Sequence, residues 1–406
     1  MSGSPPFAAE YRLTITGEPV TESGVCSVTF PEGGIRVTPH GNVSIEVNYS
    51  EITGWLTEDY RLDLNLADGT ELSLSKLARR YDECIDTFRS NRREYFFNAL
   101  LLEEGEHLDI AGAFELQNPT GEVIAAAACS LSLQSTSLAC FPDTSLPFLV
   151  PYGSIIEIAH DQELYTITLT CTDGRKLSLI RFARRSDELL RCLEEHRAAL
   201  YGRQSLALSA LAPHTGAIPL RKVASLLRDG VPAERKELES AAPGFWDALW
   251  RAGFCEERRE YADSLLAKAT EMYVVVKETG PWGASEDTPA ALADRRLLYL
   301  FQIGSALVVE APSTDDAATY IFKIKGESRD FARTLCRALA AIQFRREPIY
   351  LPEAELGKPP FDRYAEAVRV LPALTDTRSA FIGRAIHNSF DSWTRTICEA
   401  IARTTP

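Results

Sequence analysis

The chain has no excess of basic residues, no CxxC pair, no long apolar run and no phosphate-binding loop. Each absence narrows what the molecule can be. Its 43 Lys and Arg stand against 57 Asp and Glu, a formal charge of −14 over 406 residues. That balance weighs against non-specific binding to nucleic acid or to an anionic membrane, because both need a basic surface. No stretch approaches the ~18 apolar residues of a membrane span. The opening MSGSPPFAAEYRL has neither the basic nor the apolar segment of a signal peptide. The nine cysteines are dispersed, odd in number and never spaced as CxxC. They read as small buried hydrophobes in a reducing cytosol, not as a zinc site. A cytoplasmic location is the expectation.

Motifs of chemistry are missing as well. There is no GxxxxGK[ST], no GxGxxG at a strand-to-helix turn and no GxSxG elbow. None of the six histidines forms HxH or HExxH. Cys192 and His196, four residues apart, share a helix face, but two ligands do not make a site. Carboxylate pairs such as Glu103-Glu104 and Glu256-Glu257 read as solvated surface. The expectation is therefore a protein with no catalytic residue, no cofactor and no metal.

What is present is a repeat. YRLDLNLADGTELSLSKLARRYDE (60–83) aligns with YTITLTCTDGRKLSLIRFARRSDE (165–188). Leu62, Leu64 and Leu66 alternate, as do Ile167, Leu169 and Cys171, and a period of two marks strands with one buried face. Asp68-Gly69 and Asp173-Gly174 supply the tight turn between two such strands. Upstream, CSVTF (26–30) matches CSLSL (129–133) at an offset of 103, whereas the later match runs at 105. A two-residue difference between Tyr49 and Tyr60 is implied. Downstream, Cys84, Ile85, Phe88, Tyr95 and Phe96 form an apolar stripe at helical spacing, matched by Leu189, Leu190, Leu193, Leu200 and Tyr201. Asp82 and Asp187 stand where a helix N-cap would be. Strands are expected near 11–16, 25–30, 34–38, 43–48, 50–55, 60–66 and 71–77, with a helix near 82–100.

Seven strands followed by one amphipathic helix, written twice, resembles the pleckstrin-homology (PH) superfamily. The resemblance implies two nearly orthogonal sheets curled into a small barrel, with the helix plugging one open end. The wording LSLSKLARRYDE and YFFNALLLEE is also similar to bacterial proteins with tandem PH-like modules and no assigned activity. Phosphoinositide binding, the best-known PH function, needs Lys and Arg around the loop joining the first two strands. Here GEPVTESG (17–24) and QNPTGE (117–122) contain neither, so that function is not carried over.

The later chain changes character. IPLRKVASLLRDG, RKELESAAPGFWDALWRAGF and EYADSLLAKATEM read as helices broken at Gly230, Pro232, Pro243, Gly244 and Gly253. Phe245, Trp246 and Trp250 read as packing. MYVVVKET, RRLLYLFQIGSALVVEAP and TYIFKIKG are strand-like, and a helix follows through Phe331, Leu335, Leu339 and Ile342. GPWGASEDTPAALAD (280–294) reads as a long loop, and FIGRAIHNSFDSWTRTICEAIA as part of a helical tail. The expected fold class is α+β: PH-like modules at 1–102 and 103–202, a helical linker module at 203–268, a diverged third PH-like module at 269–351 and a C-terminal helical extension at 352–406.

On this reading the chain is a non-enzymatic interaction or scaffold protein with protein partners, since PH-like barrels take peptides by strand addition or in a groove beside the helix. The alternative is binding of an anionic ligand, a lipid head group or nucleic acid, through a local arginine patch. An enzyme with an unrecognised site stands third. Arg79, Arg80, Arg184 and Arg185 are the candidate contacts to an anion or partner, because they sit just ahead of helix N-termini. Turn chemistry and capping account for most of their motif. The basic groups RSNRRE (89–94) and LRKV (220–223) read as exposed helix faces.

Overall fold

The computed structural model describes residues 5–15, 21–41, 43–102, 110–277, 297–311, 318–342 and 344–404. The first barrel comprises β1 (Phe7–Thr14), β2 (Thr21–Thr29), β3 (Gly34–Pro39), β4 (Ile45–Asn48), β5 (Ile52–Glu58), β6 (Arg61–Leu66), β7 (Glu71–Ser75) and α1 (Tyr81–Ala99). The second comprises β8 (Ile110–Gln117), β9 (Val123–Leu133), β10 (Ser137–Pro142), β11 (Phe148–Pro151), β12 (Ile155–Asp161), β13 (Thr166–Cys171), β14 (Lys176–Ile180) and α2 (Ser186–Leu211). Their sheets run in the orders β4-β3-β2-β1-β7-β6-β5 and β11-β10-β9-β8-β14-β13-β12. Each first strand pairs antiparallel with its last, which curls the meander around one core. Alternation places Leu62, Leu64, Leu72 and Leu74 inside the first barrel, and Ile167, Leu169, Leu177 and Leu179 inside the second. Each such side chain contributes about 1.5–3 kcal/mol by leaving water. The fold is α+β, with two tandem seven-stranded barrel-like modules, each followed by a helix.

Ile52 and Ile155 open equivalent strands 103 residues apart, whereas Arg61 and Thr166 open the next pair at 105. The two-residue difference therefore lies in the β5–β6 turn. In the first barrel Asp59 and Tyr60 make a two-residue tip, both left-handed with φ of 51° and 58°. The second barrel spans the same gap with 162–165, where the Asp161 carboxylate accepts the Glu163 and Leu164 N–H groups at 3.0 Å each. In the Asp-Gly turns the glycine alone is left-handed, with φ of 85° at Gly69 and 80° at Gly174. The aspartate holds the turn by its side chain: Asp68 accepts from the Thr70 N–H at 2.9 Å and Asp173 from the Arg175 N–H at 3.1 Å.

The rest of the described chain builds one further sheet with helices on both faces. Its elements are α3 (Ala217–Leu226), β15 (Ala233–Glu234), α4 (Arg235–Ala241), α5 (Phe245–Gly253), α6 (Glu256–Leu266), β16 (Glu271–Val276), β17 (Leu297–Ile303), β18 (Ala306–Glu310), β19 (Ala318–Lys323), α7 (Ser328–Ala341), α8 (Glu347–Tyr350), α9 (Glu353–Leu356), α10 (Asp362–Val370), α11 (Pro372–Ala380), β20 (Phe381–Ile386) and α12 (Phe390–Ala402). Six strands lie in sequence order from β15 to β20. Most strands of the two barrels hide one face, β10 being buried throughout, but here three successive strands, β17, β18 and β19, bury both. Tyr273, Val275, Leu298 and Leu300 pack on one side with α7 and α10. Val274, Val276, Tyr299 and Phe301 pack on the other with α5 and α12. This sheet differs from the expected third barrel for that reason.

Three expectations are corrected here. Phe381–Ile386 is a strand, not the start of a helix, because it pairs with β19 along its length. β15 comes from the stretch read as linker and also joins the sheet. And α2 runs through residues 202 and 203 without a break: Leu189, Leu193 and Leu200 fill the second barrel, while Leu208 and Leu211 enter the core under the third sheet. As expected from their cluster, Phe245, Trp246 and Trp250 are buried there. The loop read at 280–294 lies outside the described residues, as do residues 17–20 of the 17–24 loop, whose other half, 21–24, opens β2 and pairs with β1.

Candidate functional site

The four arginines of the repeated stretch occupy two 3-10 turns, Ala78–Arg80 and Ala183–Arg185, each leading directly into a helix. The N-cap position falls on Arg80 and on Arg185, which carry no acceptor, so neither Asp82 nor Asp187 caps its helix. The first-turn glutamates take the arginines instead, Arg80 to Glu83 at 2.8 Å and Arg185 to Glu188 at 3.2 Å. Arg80 also donates to the Pro6 carbonyl at 3.0 Å and lies 4.1 Å over the Phe7 ring, so it ties the N-terminal strand to α1. Arg79 and Arg184 are exposed on separate barrels.

The 89–94 group is not a uniformly exposed face. Arg92 is buried and reaches into the second barrel, donating to the Pro142 carbonyl at 3.2 Å and the Ser145 carbonyl at 3.0 Å. Burial holds its guanidinium down to about 10, with Asp143 opposing. Arg221 and Lys222 of the other group are exposed, as expected.

The site with most chemistry lies where the second barrel meets the third sheet. A cavity of about 320 Å³ opens there, at the low end of the ~300–1,000 Å³ usual for small-molecule pockets. Leu116, Phe148, Val150 and Leu177 line it from the barrel, and Ala338, Ala341, Phe344, Leu371 and Leu374 from the region of α7 and α11. Five charged side chains converge on the apolar wall: Asp173, Arg175, Asp229, Lys277 and Arg337. They come from four places in the chain. Asp173 and Arg175 belong to the β13–β14 turn, where Arg175 Nε meets Asp173 at 2.7 Å. Arg337 comes from α7 and reaches the same carboxylate at 3.0 Å. Asp229 follows α3 and is 6% exposed. Lys277 follows β16, its Nζ 4.9 Å from the centre of the Phe344 ring.

Electrostatics divides these groups. Burial works against the Asp173 charge, but Arg175 and Arg337 more than offset it, so the carboxyl lies below its ordinary range. Arg337 is lowered, chiefly by burial. Lys277 is lowered to about 8 by desolvation, with Arg345 and Arg346 pushing the same way and Asp229 opposing. The arrangement can hold a negative charge beside an apolar body.

Close packing builds the corner of this cavity. A Cβ on Gly153 would stand 2.1 Å from the Asp229 carbonyl oxygen. The first barrel has Ser50 at the equivalent position, and Thr70 where the second has Arg175. Differences between the two copies were thus the one sequence signal for this site. Lys277, Asp229 and Arg337 carried none. Cys192 and His196 stay outside it, and among the described residues no three His, Cys, Asp or Glu side chains are grouped to hold a metal ion. Among those residues, too, no helix is long and apolar enough to cross a membrane.

No family model matches the chain, and no curated protein does. Among solved structures, one titled "Structure of the Spt16D Pob3N heterodimer" is similar at 18% identity over 43% of this chain and 88% of that one, with a TM-score of 0.17. A score that low carries no argument about function.

Proposed function

We propose that the chain is a non-enzymatic binding protein of the cytoplasm, whose barrels and third sheet frame a site for a small molecule. One observation carries the reading: an apolar cavity at the junction of two units, with Lys277, Arg175 and Arg337 converging on it. This is the anionic-ligand alternative moved from the repeated arginines to a different arginine cluster. A binding role suits the charges. Asp173, held ionised by two arginines, is a poor proton shuttle at neutral pH. All nine cysteines are free, including Cys129 and Cys140, whose thiols hydrogen-bond each other inside the second barrel, and that fits a reducing compartment.

Titration with the fluorophore anilinonaphthalenesulfonate tests the site. Saturable one-site binding is expected in the wild type and its loss in Ala341→Phe, with an unchanged melting transition. Binding that ignores the filled cavity would dismiss the reading.

A second reading, interaction with another protein, is favoured by the outer edge of the second barrel. β12 ends that sheet, and Ile156, Leu164 and Tyr165 are exposed along it and at its tip. An extended peptide added to β12 is the partner this edge fits. A photo-cross-linker at residue 156 is expected to give one discrete adduct in cells; a featureless smear counts against it.

A further inference from the structure

We infer that the cavity between the second barrel and the third sheet takes an amphipathic monoanion, a small carboxylic acid whose apolar body lies along Phe148, Leu177 and Phe344 and whose carboxylate meets Lys277, Arg175 and Arg337. The inference rests on the binding reading above and adds the ligand's charge and shape.

The charge follows from a count. The cavity is lined by three cations, Arg175, Lys277 and Arg337, and two carboxylates, Asp173 and Asp229. Asp173 is shared by Arg175 and Arg337, and Asp229 offsets Lys277. Among the described lining residues, cations thus outnumber carboxylates by one beside a largely apolar wall. Removing an uncompensated charge from water is costly, and a partner of opposite sign offsets that cost. A monoanion closes the balance. A neutral ligand would leave it open, and a cation would worsen it. Arg345 and Arg346 add to the positive field at Lys277.

The shape follows from where the groups sit. The apolar lining comes from strands and from the alanine face of α7, Ala338 and Ala341, which leaves room because the side chains are small. The charged groups other than Arg337 of α7 arrive at turns and element ends instead: the β13–β14 turn, the residue after β16 and the turn after α3. A ligand charged all over would desolvate against the alanine and phenylalanine wall; one without charge would leave the cations without a carboxylate from the ligand. Lys277 suits the head group, since an amine over an aromatic ring and next to a carboxylate is held in place before anything binds.

Calorimetric titration with octanoate, octanol and octylamine separates the possibilities. One octanoate per chain is expected, octanol at least about tenfold weaker because the charge-assisted hydrogen bonds are lost, and no heat from octylamine. Lys277→Met should remove the preference for octanoate over octanol. Arg175→Gln, on a half-exposed turn where Asp173 keeps Arg337, should weaken it without loss of folding. Octanol binding as tightly as octanoate, or a preference unchanged in both variants, overturns the assignment of charge and leaves the cavity as a binding site. Failure of all three to bind, with the fluorophore also indifferent to Ala341→Phe, overturns both.

Discussion

Lys277 is a cation that the fold holds at a cost. Its ordinary range lies at 10.5 and burial brings it to about 8. Between those values the unfolded chain binds a proton that the folded chain does not, so stability rises with pH across that window. Below pH 8 the penalty is complete, at most about 3 kcal/mol at 1.36 kcal/mol per pH unit. Denaturant melts of the wild type from pH 7.5 to 10.5 should show the rise, and Lys277→Met should flatten it. Anion affinity should move the other way, falling as Lys277 loses its proton. Arg92 makes the opposite case, a buried cation whose hydrogen bonds join two barrels. In Arg92→Ala the Pro142 and Ser145 carbonyls lose their donor, and a loss of about 2–4 kcal/mol is expected in chemical denaturation. Neither residue was legible in the sequence. Arg92 sits in a basic run that looks like a solvated helix face, and Lys277 merely follows a strand. What buries them is contact with segments far away in the chain, and no local pattern records that.

Elements were more legible, because their periodicities are local. The alternating leucines of β6 and β7, the Asp-Gly turns and the apolar stripe of α1 all stand where the repeat put them. The helix caps were not, since Asp at the entrance to a helix looks the same whether or not a 3-10 turn precedes it. The strand Phe381–Ile386 was hidden for a related reason. FIGRAI has no clear period of two, and its pairing with β19 across some sixty residues decides its form. Gly153 belongs to this scale too, in the 3-10 turn Tyr152–Ser154 between β11 and β12. Its missing Cβ lets the turn touch the backbone at Asp229. Gly153→Ala should force the two apart and cost about 1–3 kcal/mol, as overpacking does. A matching loss of fluorophore binding would tie the contact to the cavity, whereas unchanged binding would show that the cavity does not depend on it.

At the scale of the molecule, the chain is held together by more than its order in sequence. The second barrel has a core of its own. The core of the first continues into one face of the third sheet, where Tyr95 of α1 donates to Glu366 of α10. The tail is structural throughout this region: Tyr364, Ala367, Val370 and Leu374 pack into one core, and Trp393, Ile397 and Ala400 into the other. A chain ending at residue 351 would expose both, and size-exclusion chromatography with limited proteolysis should find it aggregated or rapidly cut, unlike the full chain. The repeat revealed two barrels because duplication leaves a trace in sequence; the third sheet, assembled once from three separated stretches, leaves none. Its placement also sets an order of opening. β17 and β18 lie between two cores and are paired on both sides. In heavy water the amides of 297–303 and 306–310 should therefore be the last to exchange, long after those of β4 and β12 at the rims of the barrels. Heated slowly, the molecule would come apart from its duplicated, recognisable half inward, and the unrepeated sheet would outlast it.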